Sequence, residues 1–230
     1  VPLSNGLRET SMATWVITGC NRGIGLEICR QLTHRGERVI GVCRQASGAL
    51  VDLGVEVVES IDVASDDDMA SLRSALSDTE IDVLVNNAGV LTRETLDDLD
   101  TDRMRREFEV NTLGPLRVTA ALRDRVRDGG KVGIVSSRVG SIADNGSGGM
   151  YGYRISKAAV NMAGVNLAHD LRERRIGVFL LHPGLVATEM TGFQGIQPSE
   201  AASGLIARLD ELTLEETGTF WHANGERLPW

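Results

Sequence analysis

Positive charge is what this sequence most lacks. Its 230 residues carry 24 Lys and Arg against 32 Asp and Glu, a formal net charge of −8. Generic binding to nucleic acid or to a membrane surface needs clustered basic charge, so neither is expected, although a local basic pocket for a phosphate remains open. No apolar run approaches the roughly 20 residues of a membrane-spanning helix, and no secretory signal pattern opens the chain. The three cysteines, Cys20, Cys29 and Cys43, make neither an even disulfide framework nor a zinc-like spacing, which fits a reducing cytoplasm. The four histidines, His34, His169, His182 and His222, lack ligand spacing, and no metal site is expected. There is no internal repeat and no Pro- or Ser-rich linker to divide the chain.

What is present is an ordinary globular balance, 42% hydrophobic and 24% charged, at a length common for one α/β domain. Val1–Ser11 is polar and aperiodic and reads as an expression remnant or a loose N-terminus, with Met12 a natural start; residues 12–230 make the domain. From there short apolar runs alternate with helical stretches. Strands are expected at Thr14–Thr18, Arg38–Cys43, Val55–Ile61, Ile81–Val85, Lys131–Val135, Gly177–Leu181 and Thr219–Trp221. Helices are expected at Gly23–Arg35, Asp66–Leu76, Thr101–Arg127, Tyr153–Arg174 and Ser199–Leu212. This alternation predicts an α/β fold, a Rossmann-like doubly wound parallel sheet in a single domain. Two aperiodic stretches, Arg138–Gly152 and Leu185–Gln197, each follow a strand, where ligands bind in such sheets.

Between the first strand and first helix stands Thr18-Gly19-Cys20-Asn21-Arg22-Gly23-Ile24-Gly25. Glycines there let the backbone turn tightly and approach a diphosphate, whose charge a helix N-terminus stabilises. An NAD site usually carries an acid at the end of the second strand to hold the ribose 2′-hydroxyl. Here that strand ends Val42-Cys43-Arg44-Gln45, and Arg44 with Arg22 would instead meet a 2′-phosphate, which predicts NADP(H) over NAD(H).

Only two tyrosines exist. Tyr153 has Lys157 four residues on, hence on the same helix face, whereas the i+4 partner of Tyr151 is Ile155. A neighbouring ammonium would lower a phenol's pKa and suit Tyr153 to general acid–base work. Ser137, at a strand end, could hydrogen-bond a carbonyl oxygen as charge develops there; Ser136 and Ser141 are rivals for that part. Asn111 lies four residues before Pro115, which has no N–H, so the helix should kink and free the Asn111 carbonyl for a water.

Taken in order, these motifs resemble the short-chain dehydrogenase/reductase family from Met12 onward. They are Thr18–Gly25, Asp62-Val63, Asn86-Asn87-Ala88-Gly89, Asn111, Ser136-Ser137, Tyr153-x-x-x-Lys157 and Pro183-Gly184 with Thr188. The long Ser–Tyr segment and the ending Gly225–Trp230 are similar to the C-factor and sniffer type of carbonyl reductase. The resemblance implies a catalytic set of Asn111, Ser137, Tyr153 and Lys157, with Ser137 preferred over its rivals. It implies cofactor contacts from Gly19, Asn21, Arg22, Gly23, Ile24, Gly25 and Arg44. Asp62 and Val63 would sit at the adenine and Asn87, Ala88 and Gly89 along the ribose. Tyr153 and Lys157 would stand at the nicotinamide ribose, and Pro183, Gly184, Val186 and Thr188 at the carboxamide. The serine and tyrosine stand 16 apart where the family usually has about 13, so the glycine-rich loop carries an insertion.

The expected activity is NADP(H)-dependent hydride transfer between nicotinamide and a small aldehyde, ketone or alcohol, in a cytoplasmic homodimer, with a tetramer also open. Two other functions are set beside it. One is an NADP(H)-binding sensor or signalling protein without turnover. The other is a reductase of a carrier-bound acyl substrate, which would need a basic patch; Arg103, Arg105, Arg106 and Arg138 could form one, but Asp97, Asp98, Asp100 and Asp102 would cancel it.

Overall fold

The computed structural model describes residues 12–230; the reading of Val1–Ser11 falls outside them. The chain runs β1 (Thr14–Thr18), α1 (Gly23–His34), β2 (Arg38–Val42), a single turn α2 (Gly48–Val51), β3 (Glu56–Val58), α3 (Asp66–Ala75) and β4 (Ile81–Asn86). It continues through α4 (Thr101–Phe108), α5 (Gly114–Leu122), β5 (Val126–Val135), α6 (Tyr151–Asp170), β6 (Gly177–His182), α7 (Pro198–Glu211) and β7 (Thr219–His222). All strand pairings are parallel, in the order β3-β2-β1-β4-β5-β6-β7. The winding direction reverses between β1 and β4, so the crevice beyond their carboxyl ends is the natural ligand position.

The alternation of side chains along each strand builds two cores. Val16, Ile40, Leu84, Ile134 and Leu180 pack under α3, α5 and α6. Ile17, Val39, Val85, Phe179 and Leu181 pack under α1 and α7. Local chemistry starts several helices: Ser65 caps α3 by accepting from Asp68 N–H, with three aspartates in the first turn, and Asp100 caps α4. Pro198 stands at the first turn of α7, where its missing N–H is harmless.

The helix expected over Thr101–Arg127 is not continuous. After Phe108 the chain widens into a π turn, Glu109–Leu113, in which Gly114 N–H reaches back five residues to the Glu109 carbonyl. Pro115 has no N–H to keep the narrower register, so the expected kink is realised as an expanded turn. The far end differs as well. Val126, which is 1% exposed, leaves the helix to pair with Ile81, so β5 begins five residues before the expected Lys131. It bulges through Asp128-Gly129-Gly130 and rejoins β4 at Lys131 opposite Val83. β3 is shorter than expected, and α6 starts two residues earlier and ends at Asp170.

Candidate active site

Gly19 and Gly23 adopt positive φ (65° and 55°) in the turn after β1, and each is hemmed in. A Cβ on Gly19 would lie 2.8 Å from Ala88 Cα, and one on Gly25 would lie 2.3 Å from the Gly19 carbonyl and 2.5 Å from Asn87 Nδ2. Asn87 Nδ2 donates to the Thr18 and Gly19 carbonyls (3.0 Å each), and Thr18 Oγ1 accepts from the N–H groups of Asn87 and Ala88. The two strand ends at the switch point are thus bolted together. Beyond this turn α1 begins at Gly23 with no side-chain cap and no acid in its first turn. Its first N–H groups are therefore available to an anion, which is what a diphosphate requires. Asn21 offers its carbonyl to Ser47 Oγ (2.7 Å), and Ile24 packs toward the α1 core. Gly25→Ala should overpack this cradle, lowering stability by about 1–3 kcal/mol and removing nucleotide binding. Thermal melting with and without NADPH checks both, and a variant that NADPH still stabilises would contradict the cradle.

Arg44 is exposed at the end of β2. Arg22 is exposed too, and its guanidinium is ion-paired with Glu189 from the loop after β6. Asp62 accepts from Ala64 N–H (2.9 Å) and from Arg106 (3.2 Å). Burial opposes its charge, yet these bonds outweigh it and hold the carboxyl below the usual range. The Val63 side chain is buried in the core against Gly114 rather than lining the crevice.

Asn111, Ser137, Tyr153 and Lys157 come together from the π turn, the end of β5 and α6. The Asn111 amide is pinned on the loop after β4: Oδ1 accepts from Val90 N–H (2.8 Å), and Nδ2 donates to the Val90 carbonyl (2.9 Å) and Ser156 Oγ (3.0 Å). A side chain at Gly89 would fall between Asn111 Oδ1 (3.3 Å) and Lys157 Nζ (3.8 Å), so glycine leaves that gap open. Of the three candidate serines, Ser136 is committed to Asn161 (2.6 Å) and Ser141 to Asp144 N–H (3.1 Å). Ser137 accepts only a long contact from Val139 N–H (3.4 Å), which leaves its hydroxyl proton for the Tyr153 phenol beside it.

One expectation is corrected. The Tyr153 pKa is raised, to about 12, because burial outweighs the hydrogen bond from Ser137, and Glu107 adds to the rise. Lys157 does not offset this: its ammonium lies 5.6 Å over the phenol ring centroid and donates to the Val135 carbonyl (2.9 Å). Burial brings Lys157 itself down to about 8, against the pull of Glu107.

Several neighbours had no sequence signal. Glu107 is fully buried, with Oε1 accepting from Thr92 N–H (2.6 Å) and Oε2 unpaired, while the adjacent Phe108 is 37% exposed. Burial raises its pKa, and nearby Glu94 adds to that. Glu94, also buried, accepts from Gly152 N–H (3.3 Å) at the start of α6. His182 and His222 meet edge to face at 4.9 Å beside Gly184. The loop after β6 is well tied: Val186 bridges Ile196, Ala187 N–H donates to the Ile196 carbonyl, and Thr191 caps Thr188. Thr188 approaches the glycine turn, its Cγ2 lying 3.3 Å from where a Gly23 Cβ would stand. Gly184 takes φ 90° after the buried Pro183.

Comparison with known proteins gives the same picture. The chain is 46% identical over 226 residues to a 1-hydroxy-2-glutathionyl-2-methyl-3-butene dehydrogenase of Rhodococcus sp. (strain AD45), covering 95% of this chain and 100% of that protein. It is 44% identical over 154 residues to C-signal of Myxococcus xanthus, covering 65% of this chain and 93% of that one. It superposes on the NADPH-bound carbonyl reductase from chicken fatty liver with a TM-score of 0.87, at 26% identity, covering 95% and 99% of the two chains. The short chain dehydrogenase family model matches residues 13–198, and the protein belongs to that family.

Proposed function

We propose that the protein is an NADP(H)-dependent oxidoreductase that transfers a hydride between nicotinamide and a small carbonyl or alcohol, with Tyr153 as general acid and base. The observation that carries this reading is the placement of Asn111 and Lys157 at the gap beside Gly89, with the Lys157 ammonium over the Tyr153 ring and Ser137 beside the phenol, in a fold whose α1 N-terminus is uncapped. When bound, a nicotinamide cofactor supplies the hydride. Gly19, Asn21, Gly23, Ile24 and Gly25 would hold its diphosphate, Asp62 and the backbone at Val63 its adenine, and Asn87, Ala88 and Gly89 its ribose. Pro183, Gly184, Val186 and Thr188 would hold the carboxamide. Ser137, the serine beside the phenol, orients the carbonyl oxygen, and Tyr153 donates the proton. A phenol held near 12 stays protonated at neutral pH, which favours reduction. Lys157 would steady the ribose hydroxyls and pass a proton inward, toward a water on the Asn111 carbonyl, which Pro115 cannot serve.

NADP(H) is favoured over NAD(H) by the exposed Arg44 at the end of β2 and by the NADPH in the chicken carbonyl reductase. Arg44→Ala should lower the ratio of kcat/KM for NADPH to that for NADH by about tenfold or more, as expected for losing a charged contact to phosphate. An unchanged ratio would return the cofactor choice to NAD(H).

A homodimer is supported by the groove between α5 and α6, lined by Phe108, Leu113, Leu116, Met162 and Leu167. Met162 is exposed in it, Ala163 forms part of its buried floor, and Val160 is core. No helix among the described residues is long and apolar enough to cross a membrane.

The carrier-bound reading is weakened because the four arginines are each paired: Arg103 with Asp98 and Asp100, Arg105 with Asp102, Arg106 with Asp62, and Arg138 with Asp144 and Glu226. The test is NADPH oxidation against aldehydes, ketones and diketones, with NADP-linked oxidation of glutathionyl alcohols added because of the Rhodococcus relative. NADPH binding without turnover of any of these would favour the sensor reading.

A further inference from the structure

Arg154 follows Tyr153 directly but points away from the catalytic group. Its guanidinium donates from Nε to the Gly148 (3.1 Å) and Gly149 (3.0 Å) carbonyls, from Nη1 to the Val139 carbonyl (3.2 Å) and from Nη2 to Ser147 Oγ (2.8 Å). None of these partners is a carboxylate; the whole fork is spent on loop backbone and one hydroxyl. The loop in question is the glycine-rich insertion between Ser137 and Tyr153.

That loop needs holding. Gly148, Gly149 and Met150 are three successive residues at positive φ (61°, 69° and 48°). Glycine tolerates this region, but a side chain at Met150 makes it costly, and such backbone persists only where its surroundings over-determine it. The first half of the loop is secured elsewhere: Arg138 pairs with Asp144 and Glu226, and Ala143 N–H donates to the Trp230 carbonyl (2.9 Å). At the end of the loop, Met150 N–H donates to the Glu94 carbonyl (3.0 Å). Among the described residues only Arg154 spans Val139 at the beginning and Ser147–Gly149 near the end, and it does so from the helical residue next to the phenol.

We propose that Arg154 is a positioning residue that sets substrate fit by fixing the Ser147–Met150 wall relative to the Tyr153 phenol. The proposal rests on the reductase reading above and on the place of the Arg138–Gly152 loop after β5, at the strand ends where ligands bind in such sheets. Lysine cannot replace it, because one ammonium on a flexible stem does not reproduce a rigid fork with several donors.

The test is hydrogen exchange over residues 139–152 together with steady-state kinetics on the best carbonyl substrate, for wild type, R154A and R154K. R174A is the control: Arg174 also donates to backbone carbonyls, those of Arg123 and Val126 (2.6 Å each), but far from the site. R154A should exchange at least about tenfold faster over 139–152 and raise the carbonyl KM at least about tenfold, with kcat within about threefold and NADPH affinity unchanged. R154K should resemble R154A, added guanidinium ion should restore the R154A KM, and R174A should match wild type in both measurements. Unchanged exchange in R154A overturns the clamp whether or not the protein turns over. Faster exchange with an unchanged KM overturns its role in substrate fit. A wild type inactive on every carbonyl counts against the reductase reading instead, and the exchange measurement still decides the clamp.

Discussion

Tyr153→Phe should reduce carbonyl substrates about 10²–10⁴-fold more slowly than the wild type, the usual loss when a general acid is removed. NADPH binding should stay within about twofold, because the change deletes one hydroxyl and keeps the ring that packs against Lys157. Tyr151→Phe, two residues earlier and without a lysine at i+4, should remain active. The pH dependence has a definite sign. With the phenol near 12 and the Lys157 ammonium near 8, both are protonated at neutral pH. Reduction should therefore be level below about pH 8 and fall above it, as Lys157 loses its proton. Alcohol oxidation needs the phenolate and should strengthen as pH rises. Stopped-flow turnover of the Phe variant at the wild-type rate would remove Tyr153 from the mechanism.

Lys157→Met should abolish efficient turnover and at the same time make the cofactor-free protein more stable at neutral pH. Burial holds the folded-state pKa of this lysine at about 8, against 10.5 for a solvent-exposed lysine. The unfolded chain binds the extra proton between those two values, so the wild type gains stability as pH rises from about 8 to about 10.5. Below 8 it bears the whole cost of a buried ammonium, about 3 kcal/mol. Methionine keeps the apolar stem and removes the charge, at the loss of the hydrogen bond to the Val135 carbonyl. The melting temperature at pH 7 should rise by roughly 5 °C, and the gain should shrink toward zero near pH 10.5. A variant that melts at or below the wild type at pH 7, or whose difference is constant with pH, would show that the buried charge costs nothing.

Much of this protein could be read along the chain because its patterns are local. The strand alternation at Thr14–Thr18 and Gly177–Leu181, the glycine spacing at Gly19–Gly25 and the i+4 relation of Tyr153 and Lys157 each lie within a few residues. Helix boundaries were less legible. Pro115 signals a break, but whether the chain kinks or widens into a π turn depends on which carbonyl Gly114 N–H can reach. Val126 reads as the end of a helix until β4 is beside it to offer Ile81.

The sequence by itself determined the parallel α/β layout, the position of the glycine turn and the placing of Tyr153 and Lys157 on one helix, since these rest on periodicity and spacing. Only the tertiary structure showed how Ser136, Ser137 and Ser141 differ in their partners, because partners such as Asn161 are distant in sequence. It also inverted Glu107 and Phe108, burying the acid and exposing the ring, as Thr92 N–H needed an acceptor on the inner face of α4. It turned Arg22 to Glu189, and it raised the tyrosine pKa where the adjacent lysine alone would have lowered it. The physical reason is common to all four: desolvation and hydrogen-bond satisfaction depend on what surrounds a group in space, and spacing along the chain does not record that.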